Sequence, residues 1–459
     1  MPPADPAAPL MISVAGVRGV VGRSLDPPGI ARFAAAFAQV LPAGAVVVGR
    51  DARVTGPMVR HAVCAGLLAA GRDVVDVGLA TTPTTQLAVE HLRAAGGVIL
   101  TASHNPAEWN ALKFLSGRGE FLGPDEGAEV RARWERGEFG WAAWDRVGRL
   151  RAEPAALDWH LERVLSLPLL DRAAIRARGL VVAVDGCASV GGVAVPALLE
   201  RLGARVARLD CEPDGRFTRV LEPLPEHLGA LGHAVREARA DFGVALDPDA
   251  DRAAFVDADG RPLGEEYTVV LGTQVAIAAR PGPVVTNLST SRMLDDVCEH
   301  ARVPLHRTPV GEAHVVAAMR ARDAVAGGEG NGGMILPAAH FGRDGLVATA
   351  LVAQATSAGA TLRGLADALP RYAMVKDKLP RPDEPWAPIA ARLRAAFAGW
   401  TEDGADGLRF ARGGEWVHVR PSGTEPVVRV IAETPDEART RALVDGARRA
   451  LAGPAAGRA

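Results

Sequence analysis

Asp247-Pro248-Asp249-Ala250-Asp251-Arg252 sets three carboxylates at alternate positions of one short segment. Such charges repel strongly unless a cation holds them. Oxygen-only donors suit a hard ion, magnesium or calcium. An EF-hand is excluded, because its sixth position needs Gly and its twelfth Glu, where this chain has Arg252 and Ala258. A solvated acidic turn is the alternative, although apolar runs on both sides argue against a simple charged tail.

Three further segments carry chemistry. Thr101-Ala102-Ser103-His104-Asn105-Pro106 follows the apolar run 98–100, which places a serine on a polar turn at the carboxyl end of a strand. The same residues also suit a plain turn. No Gly-x-Ser-x-Gly elbow is present, and adjacency alone does not make His104 the activator of Ser103. Gly327-Gly328-Glu329-Gly330-Asn331-Gly332-Gly333 offers one carboxylate and one amide to sugar hydroxyls, or is a glycine-rich connector. Arg420-Pro421-Ser422-Gly423-Thr424-Glu425-Pro426 concentrates a guanidinium, two hydroxyls and a glycine N–H in one turn; these donors suit a dianionic phosphate, with Arg429 as a second cation.

The elements that must position these segments read as α/β layers. Strands are expected at 45–48, 74–77 and 98–100, with helices at 30–41 and 58–70. A second round has strands at 180–184, 206–209 and 242–246 and a helix at 195–202; a third has strands at 253–256, 284–288 and 334–336 and helices at 267–279, 292–300 and 315–320. After a proline-rich connector at 379–388, the tail gives a helix, strands at 416–419 and 427–431, and a helix at 436–451, a smaller α+β unit.

At 459 residues the chain is too long for one core, so three or four modules are expected. A formal net charge of −2 leaves no basic field for nucleic acid. Residues 1–9 have no positive charge ahead of an apolar core, which reads against a secretory signal, and apolar runs such as 346–353 are too short to span a bilayer. Cys64, Cys187, Cys211 and Cys298 lie far apart with no Cys-x-x-Cys pair, which reads against a zinc cage or redox dithiol and for a cytoplasmic protein. Of the 52 basic residues only Lys113, Lys376 and Lys378 are lysine.

In this order and at this spacing the four motifs resemble those of the α-D-phosphohexomutase superfamily, and the resemblance runs from about Ile12 to the final helix. It implies three similar α/β mixed-sheet domains and a smaller α+β C-terminal domain around a central cleft, divided here at 1–148, 149–248, 249–372 and 373–459. It also implies phosphoserine at Ser103, Mg2+ held by Asp247, Asp249, Asp251 and a Ser103 phosphate oxygen, and Arg18, Lys113, His104 and Arg252 around the reacting phosphate. Arg420, Ser422, Gly423 and Thr424, with Arg429, would hold the other phosphate, and Glu329 and Asn331 the sugar. The implied activity moves a phosphate between the 6 and 1 positions of a hexose through a bisphosphosugar, in a monomer or homodimer. Three positions depart from many relatives: Asn331 replaces a serine, Gly333 replaces a histidine, and Glu312 stands where mannose/glucose-type members often carry histidine. The Gly328-Glu329-Gly330-Asn331-Gly332-Gly333 variant, together with Asn287-Leu288-Ser289-Thr290-Ser291-Arg292, resembles a subgroup that acts on glucosamine phosphate, which implies glucosamine 6-phosphate as substrate. Phosphomannomutase/phosphoglucomutase activity is the alternative; a metal-dependent sugar phosphatase and a sugar-phosphate sensor are the remaining readings.

Overall fold

The computed structural model describes residues 10–13, 16–422 and 427–452. Its first three sheets share one plan. In the first, the parallel strands Val46–Arg50, Val74–Leu79 and Gly96–Leu100 are joined by the helices Gly56–Ala69 and Thr82–Leu92, and Trp109–Ser116 then returns antiparallel to Gly96–Leu100. In the second, Val181–Asp185, Arg205–Leu209 and Phe242–Leu246 are parallel and Ala253–Asp257 is antiparallel; in the third, Val284–Asn287, Leu305–Thr308 and Ala326–Glu329 are parallel and Gly333–Ile335 is antiparallel. Strand order is the same each time, with the hairpin on one side of the first strand and the second strand on the other. The first sheet adds Met11–Ser13 and Gly16–Val20 beyond the hairpin and Leu150–Ala152 at the opposite edge.

This repeat places the chemistry. The Ser103, Asp247–Asp251 and Glu329 segments are the same loop of three successive units, the link from the last parallel strand to its antiparallel partner. Each therefore sits at a strand's carboxyl end, where open α/β sheets bind ligands. The tail is a five-stranded antiparallel sheet in the order Ala373–Pro380, Val427–Thr434, Glu415–Pro421, Leu408–Arg412, Thr401–Asp403, covered by Trp386–Ala396 and Glu437–Ala452. Its motif also lies in a hairpin, between Glu415–Pro421 and Val427–Thr434.

Apolar residues of the second and third units form one continuous core, in which Leu198, Phe242, Val269, Leu294 and Leu351 take part. The largely apolar, mostly buried helix Gly345–Ser357 runs through it and packs on both Gly191–Leu202 and Glu266–Ala279. Separate cores cover the two faces of the first sheet. No helix among the described residues is long and apolar enough to cross a membrane.

The structure extends the sequence reading at several places. The run 327–333 is half strand, Ala326–Glu329 being fully buried, so its glycines serve close packing as well as a turn. The segment ahead of the proline-rich connector is the edge strand Ala373–Pro380. Trp109–Ser116 and Leu408–Arg412 are strands that periodicity did not single out. The second sheet takes in Ala253–Asp257, beyond the division expected at 248.

Close helix packing in the first unit yields a stability prediction. A Cβ at Gly66 would lie 2.2 Å from the backbone oxygen of Ala31 on the facing helix Pro27–Val40. Alanine normally favours a helix over glycine. Here Gly66→Ala is expected to destabilise this unit by about 1–3 kcal/mol through overpacking, seen as a lower midpoint of its thermal transition. An unchanged or raised midpoint contradicts that packing.

Candidate active site

Ser103 sits at the tip of the first hairpin with φ of 49°, a left-handed conformation unusual for a side-chain-bearing residue. Such strain persists where the surroundings over-determine it. Its N–H donates to Thr101 Oγ1 at 2.9 Å. A buried guanidinium holds the rest of the turn: Arg53 donates to the carbonyl oxygens of Ser103 (2.5 Å), Asn105 (2.6 Å), Pro106 (2.7 Å) and Trp109 (3.0 Å), and its Nε pairs with Asp51 at 3.2 Å. Arg53 escaped the sequence reading, although Gly49-Arg50-Asp51-Ala52-Arg53 at the end of a buried strand was an available signal.

The Ser103 hydroxyl donates to Asp247 Oδ2 at 2.9 Å, joining hairpins 144 positions apart in sequence. Asp247, Asp249 and Asp251 are fully buried, and their ligand oxygens lie within 4.8 Å of one another. Ala250, with φ of 53°, makes the same kind of left-handed turn between them that Ser103 makes in its own loop. Burial, then the neighbouring charges of Asp249 and Asp251, push the Asp247 carboxyl well above its usual range. Burial opposes ionisation of Asp249 as well, but Lys113 Nζ at 2.7 Å and Thr82 Oγ1 at 2.6 Å outweigh it and hold that carboxyl low. Asp249 Oδ1 and Asp251 Oδ1 are buried and accept no hydrogen bond. An all-oxygen cluster with two orphaned carboxylate oxygens fits a hard divalent cation. By contrast, the buried group His160, His340 and Asp344 is satisfied internally, both imidazoles meeting Asp344 Oδ2 at 2.8 and 3.0 Å.

Cations ring this centre. Lys113 and Arg18 come from neighbouring antiparallel strands whose register pairs Lys113 with Gly16 and Arg18 with Ala111, which makes them diagonal neighbours on one face. Arg18 Nη1 donates to Asn105 Oδ1 at 3.1 Å, and Arg252 Nη1 to Glu222 Oε1 at 3.2 Å. His104 Nδ1 lies 3.4 Å from Ser103 Oγ. Burial, followed by the charges of Arg252, Arg18 and Arg429, holds the His104 pKa well below the usual imidazole range, so His104 is neutral at pH 7. Three cations from different elements, the strands bearing Arg18 and Arg429 and the loop bearing Arg252, therefore bear on one imidazole beside Ser103.

The third and fourth loops complete the site. Glu329 is buried; its Oε1 accepts from Asn287 Nδ2 at 2.8 Å and from the Gly311 N–H at 2.9 Å, and its Oε2 from Arg343 Nη1 at 2.9 Å. Asn331 presents a buried Oδ1 with no hydrogen-bond partner. Lys376 of the tail donates to the Gly330 carbonyl at 2.9 Å and to Glu265 and Glu266, both at 2.7 Å, and so pins the tail sheet to the third loop. Arg420 and Arg429 stand directly opposite each other on adjacent strands. Like charges so placed are destabilising, an arrangement suited to an anion. Burial lowers the Arg420 pKa, with Asp406, Arg429 and Glu329 all within electrostatic reach. Ser422 is buried and its N–H donates to the Val427 carbonyl at 2.8 Å; Gly423 and Thr424 lie outside the described residues.

Fold and site together define an α/β phosphotransferase with a carboxylate cluster able to hold a metal. Four family models of phosphoglucomutase/phosphomannomutase match in order: alpha/beta/alpha domain I over residues 11–141, domain II over 159–260, domain III over 264–372 and the C-terminal domain over 374–450. A Thermococcus kodakarensis protein named "Phosphoglucomutase/phosphomannomutase" is 36% identical over 94% of this chain and 96% of its own. A Methanopyrus kandleri protein named "Probable phosphoglucosamine mutase" is 36% identical over 94% and 95%. The crystal structure of a phosphoglucomutase/phosphomannomutase family protein from Burkholderia thailandensis superposes with a TM-score of 0.84 at 27% identity, covering 96% of both chains. The chain belongs to the phosphoglucomutase/phosphomannomutase family, the α-D-phosphohexomutases, enzymes that transfer a phosphate within a hexose phosphate.

The Arg53 clamp gives the prediction here. Arg53→Met removes the guanidinium that donates to four carbonyls of the Ser103 turn. Turnover is expected to fall by about 100-fold, the scale associated with a reacting group displaced by about an ångström. Mutase activity within a few-fold of wild type in a folded Arg53→Met protein would show that the turn holds itself.

Proposed function

We propose that this enzyme interconverts glucosamine 6-phosphate and glucosamine 1-phosphate, with Ser103 carrying the phosphoryl group and Mg2+ held by Asp247, Asp249, Asp251 and a Ser103 phosphate oxygen. The observation that carries this reading is the 2.9 Å contact between the Ser103 hydroxyl and Asp247, inside a buried carboxylate cluster with orphaned oxygens. A bound magnesium ion would supply charge neutralisation at the oxygens of the transferring group.

The protein's own groups do the rest. Arg18, Lys113 and Arg252 supply fixed positive charge around the phosphoryl group, and their placement on strands and tight hairpins avoids reorganisation during transfer. The sugar hydroxyl attacks phosphorus; its O–P bond forms as the bond to Ser103 Oγ breaks, and the proton that the hydroxyl loses is balanced by the one that restores the Ser103 hydroxyl, with His104 Nδ1 3.4 Å from that leaving oxygen. The resulting bisphosphosugar turns over in the cleft, and its other phosphate returns to Ser103. Arg420, Ser422, Gly423, Thr424 and Arg429 hold whichever phosphate is not reacting, while Glu329 and Asn331 meet the sugar hydroxyls. Glu329 retains lone pairs for this, because its Oε2 accepts one bond from Arg343.

Two observations support an amino sugar. Asp251, Glu312 and Glu329 share the single guanidinium of Arg343, so carboxylates outnumber that cation beside the third loop, although burial pushes the Glu312 carboxyl up to about 7. Asn331 adds an unpartnered acceptor. An ammonium at the 2 position gains from both, whereas a hydroxyl gains little. The names of the relatives are divided between the two substrate readings.

The test is a coupled assay on glucosamine, mannose and glucose 6-phosphates with a bisphosphosugar primer. A kcat/KM at least about tenfold higher for the glucosamine compound is expected, the scale of one charge-assisted hydrogen bond. Preference for mannose or glucose phosphate overturns the substrate assignment. In the same preparations, Ser103→Ala is expected to abolish turnover and to remove the phosphate found by peptide mass spectrometry. Chelation should stop turnover until Mg2+ is restored. A phosphopeptide elsewhere, with an active Ser103→Ala protein, rules out serine 103 as carrier.

A further inference from the structure

Arg343 lies outside all four motifs, yet its side chain joins two of them. One end of its guanidinium donates to Asp251 Oδ2 at 2.6 Å and the other to Glu329 Oε2 at 2.9 Å, while its Nε lies 2.9 Å from Glu312 Oε2. All four residues are buried. The nearby carboxylates raise the affinity of Arg343 for its proton against the effect of burial, so the charge is permanent. A planar fork can bridge carboxylates in this way; the point charge of a lysine cannot.

The surroundings are fitted to this side chain. A Cβ at Gly333 would lie 2.2 Å from Arg343 Cδ, so the arginine stem occupies the space that any side chain at 333 would need. Two of the departures noted in the sequence, Gly333 and Glu312, are thus one feature: glycine clears the path and glutamate anchors Nε. The next residue, Asp344, caps the helix Gly345–Ser357 and accepts from His160 and His340, which fixes the backbone from which Arg343 projects.

We propose that Arg343 is a positioning residue that couples the sugar seat to the metal seat. The proposal rests on the reading that Glu329 faces the sugar and the aspartate triplet holds the metal. A cation on Asp251 withdraws part of the charge competing for the guanidinium, so Arg343 holds Glu329 more firmly in one orientation for sugar hydroxyls. Sugar bound to a fixed Glu329 in turn keeps Arg343 from drifting over Asp251. By linkage, each ligand tightens the other by the same factor.

The experiment is calorimetric titration of the dephosphorylated full-length chain with Mn2+ and with glucosamine 6-phosphate, each alone and at saturation with the other. Wild type is expected to show mutual tightening of about tenfold. In Arg343→Lys, which keeps the charge and loses the fork, the factor should fall to about twofold, the remainder being direct attraction between metal and phosphate. If Arg343→Lys does not fold, Gly333→Ala, which displaces the arginine stem, is measured in the same way. No coupling in wild type, or undiminished coupling in a folded variant, overturns the proposal. Turnover by wild type is scored separately: its absence with every hexose phosphate defeats the functional reading, whereas coupling that survives in the variants defeats only the role of Arg343.

Discussion

Mutual repulsion among Asp247, Asp249 and Asp251 is the constraint around which the molecule is arranged. Three fully buried carboxylates within 4.8 Å of one another are tolerable only if positive charge is brought to them from several directions. The chain does so with Lys113 on Asp249 and Arg343 on Asp251, and adds the Ser103 hydroxyl as a neutral donor to Asp247. Two oxygens are still left without partners, and that residual deficit fits the centre for a metal ion. The partners come from the first and third units of the fold, so the same electrostatics that suit a cation also draw the hairpins together.

The fold meets this demand by repetition. Three sheets with one strand order present the same hairpin to a common point, one bearing the serine, one the carboxylates and one the sugar-loop glutamate. The tail closes the arrangement through polar contacts: Lys376 on Gly330, Ser289 on His418 at 2.9 Å, and Arg292 on Glu433 at 2.8 Å. These contacts give the lysine that sequence scarcity had set apart a physical role, and they place the opposed pair Arg420 and Arg429 over the cleft.

Much of this was legible because motif residues sit on turns whose flanking strands are strongly apolar. Ser103, the aspartate triplet and Glu329 could be read this way, and Lys113 and Arg18 followed from the resemblance. What escaped was what depends on contacts between residues far apart in the chain. Arg53 bonds carbonyl oxygens, which carry no residue identity, and Arg343 reaches carboxylates 14, 31 and 92 positions away. The strand Trp109–Ser116 was hidden because its polar positions, Asn110 and Lys113, are turned to Thr55 and Asp249 rather than to solvent. Gly333 looked like a lost side chain; in three dimensions it is the space for Arg343.

The most direct test of the central claim, that the buried aspartate triplet beside Ser103 holds the catalytic metal, is the anomalous difference density of crystals grown with Mn2+. One strong peak is expected among Asp247, Asp249 and Asp251, within bonding distance of an oxygen on residue 103. A peak at His160, His340 and Asp344 instead, or none at the aspartates with Mn2+ saturating, would contradict the account.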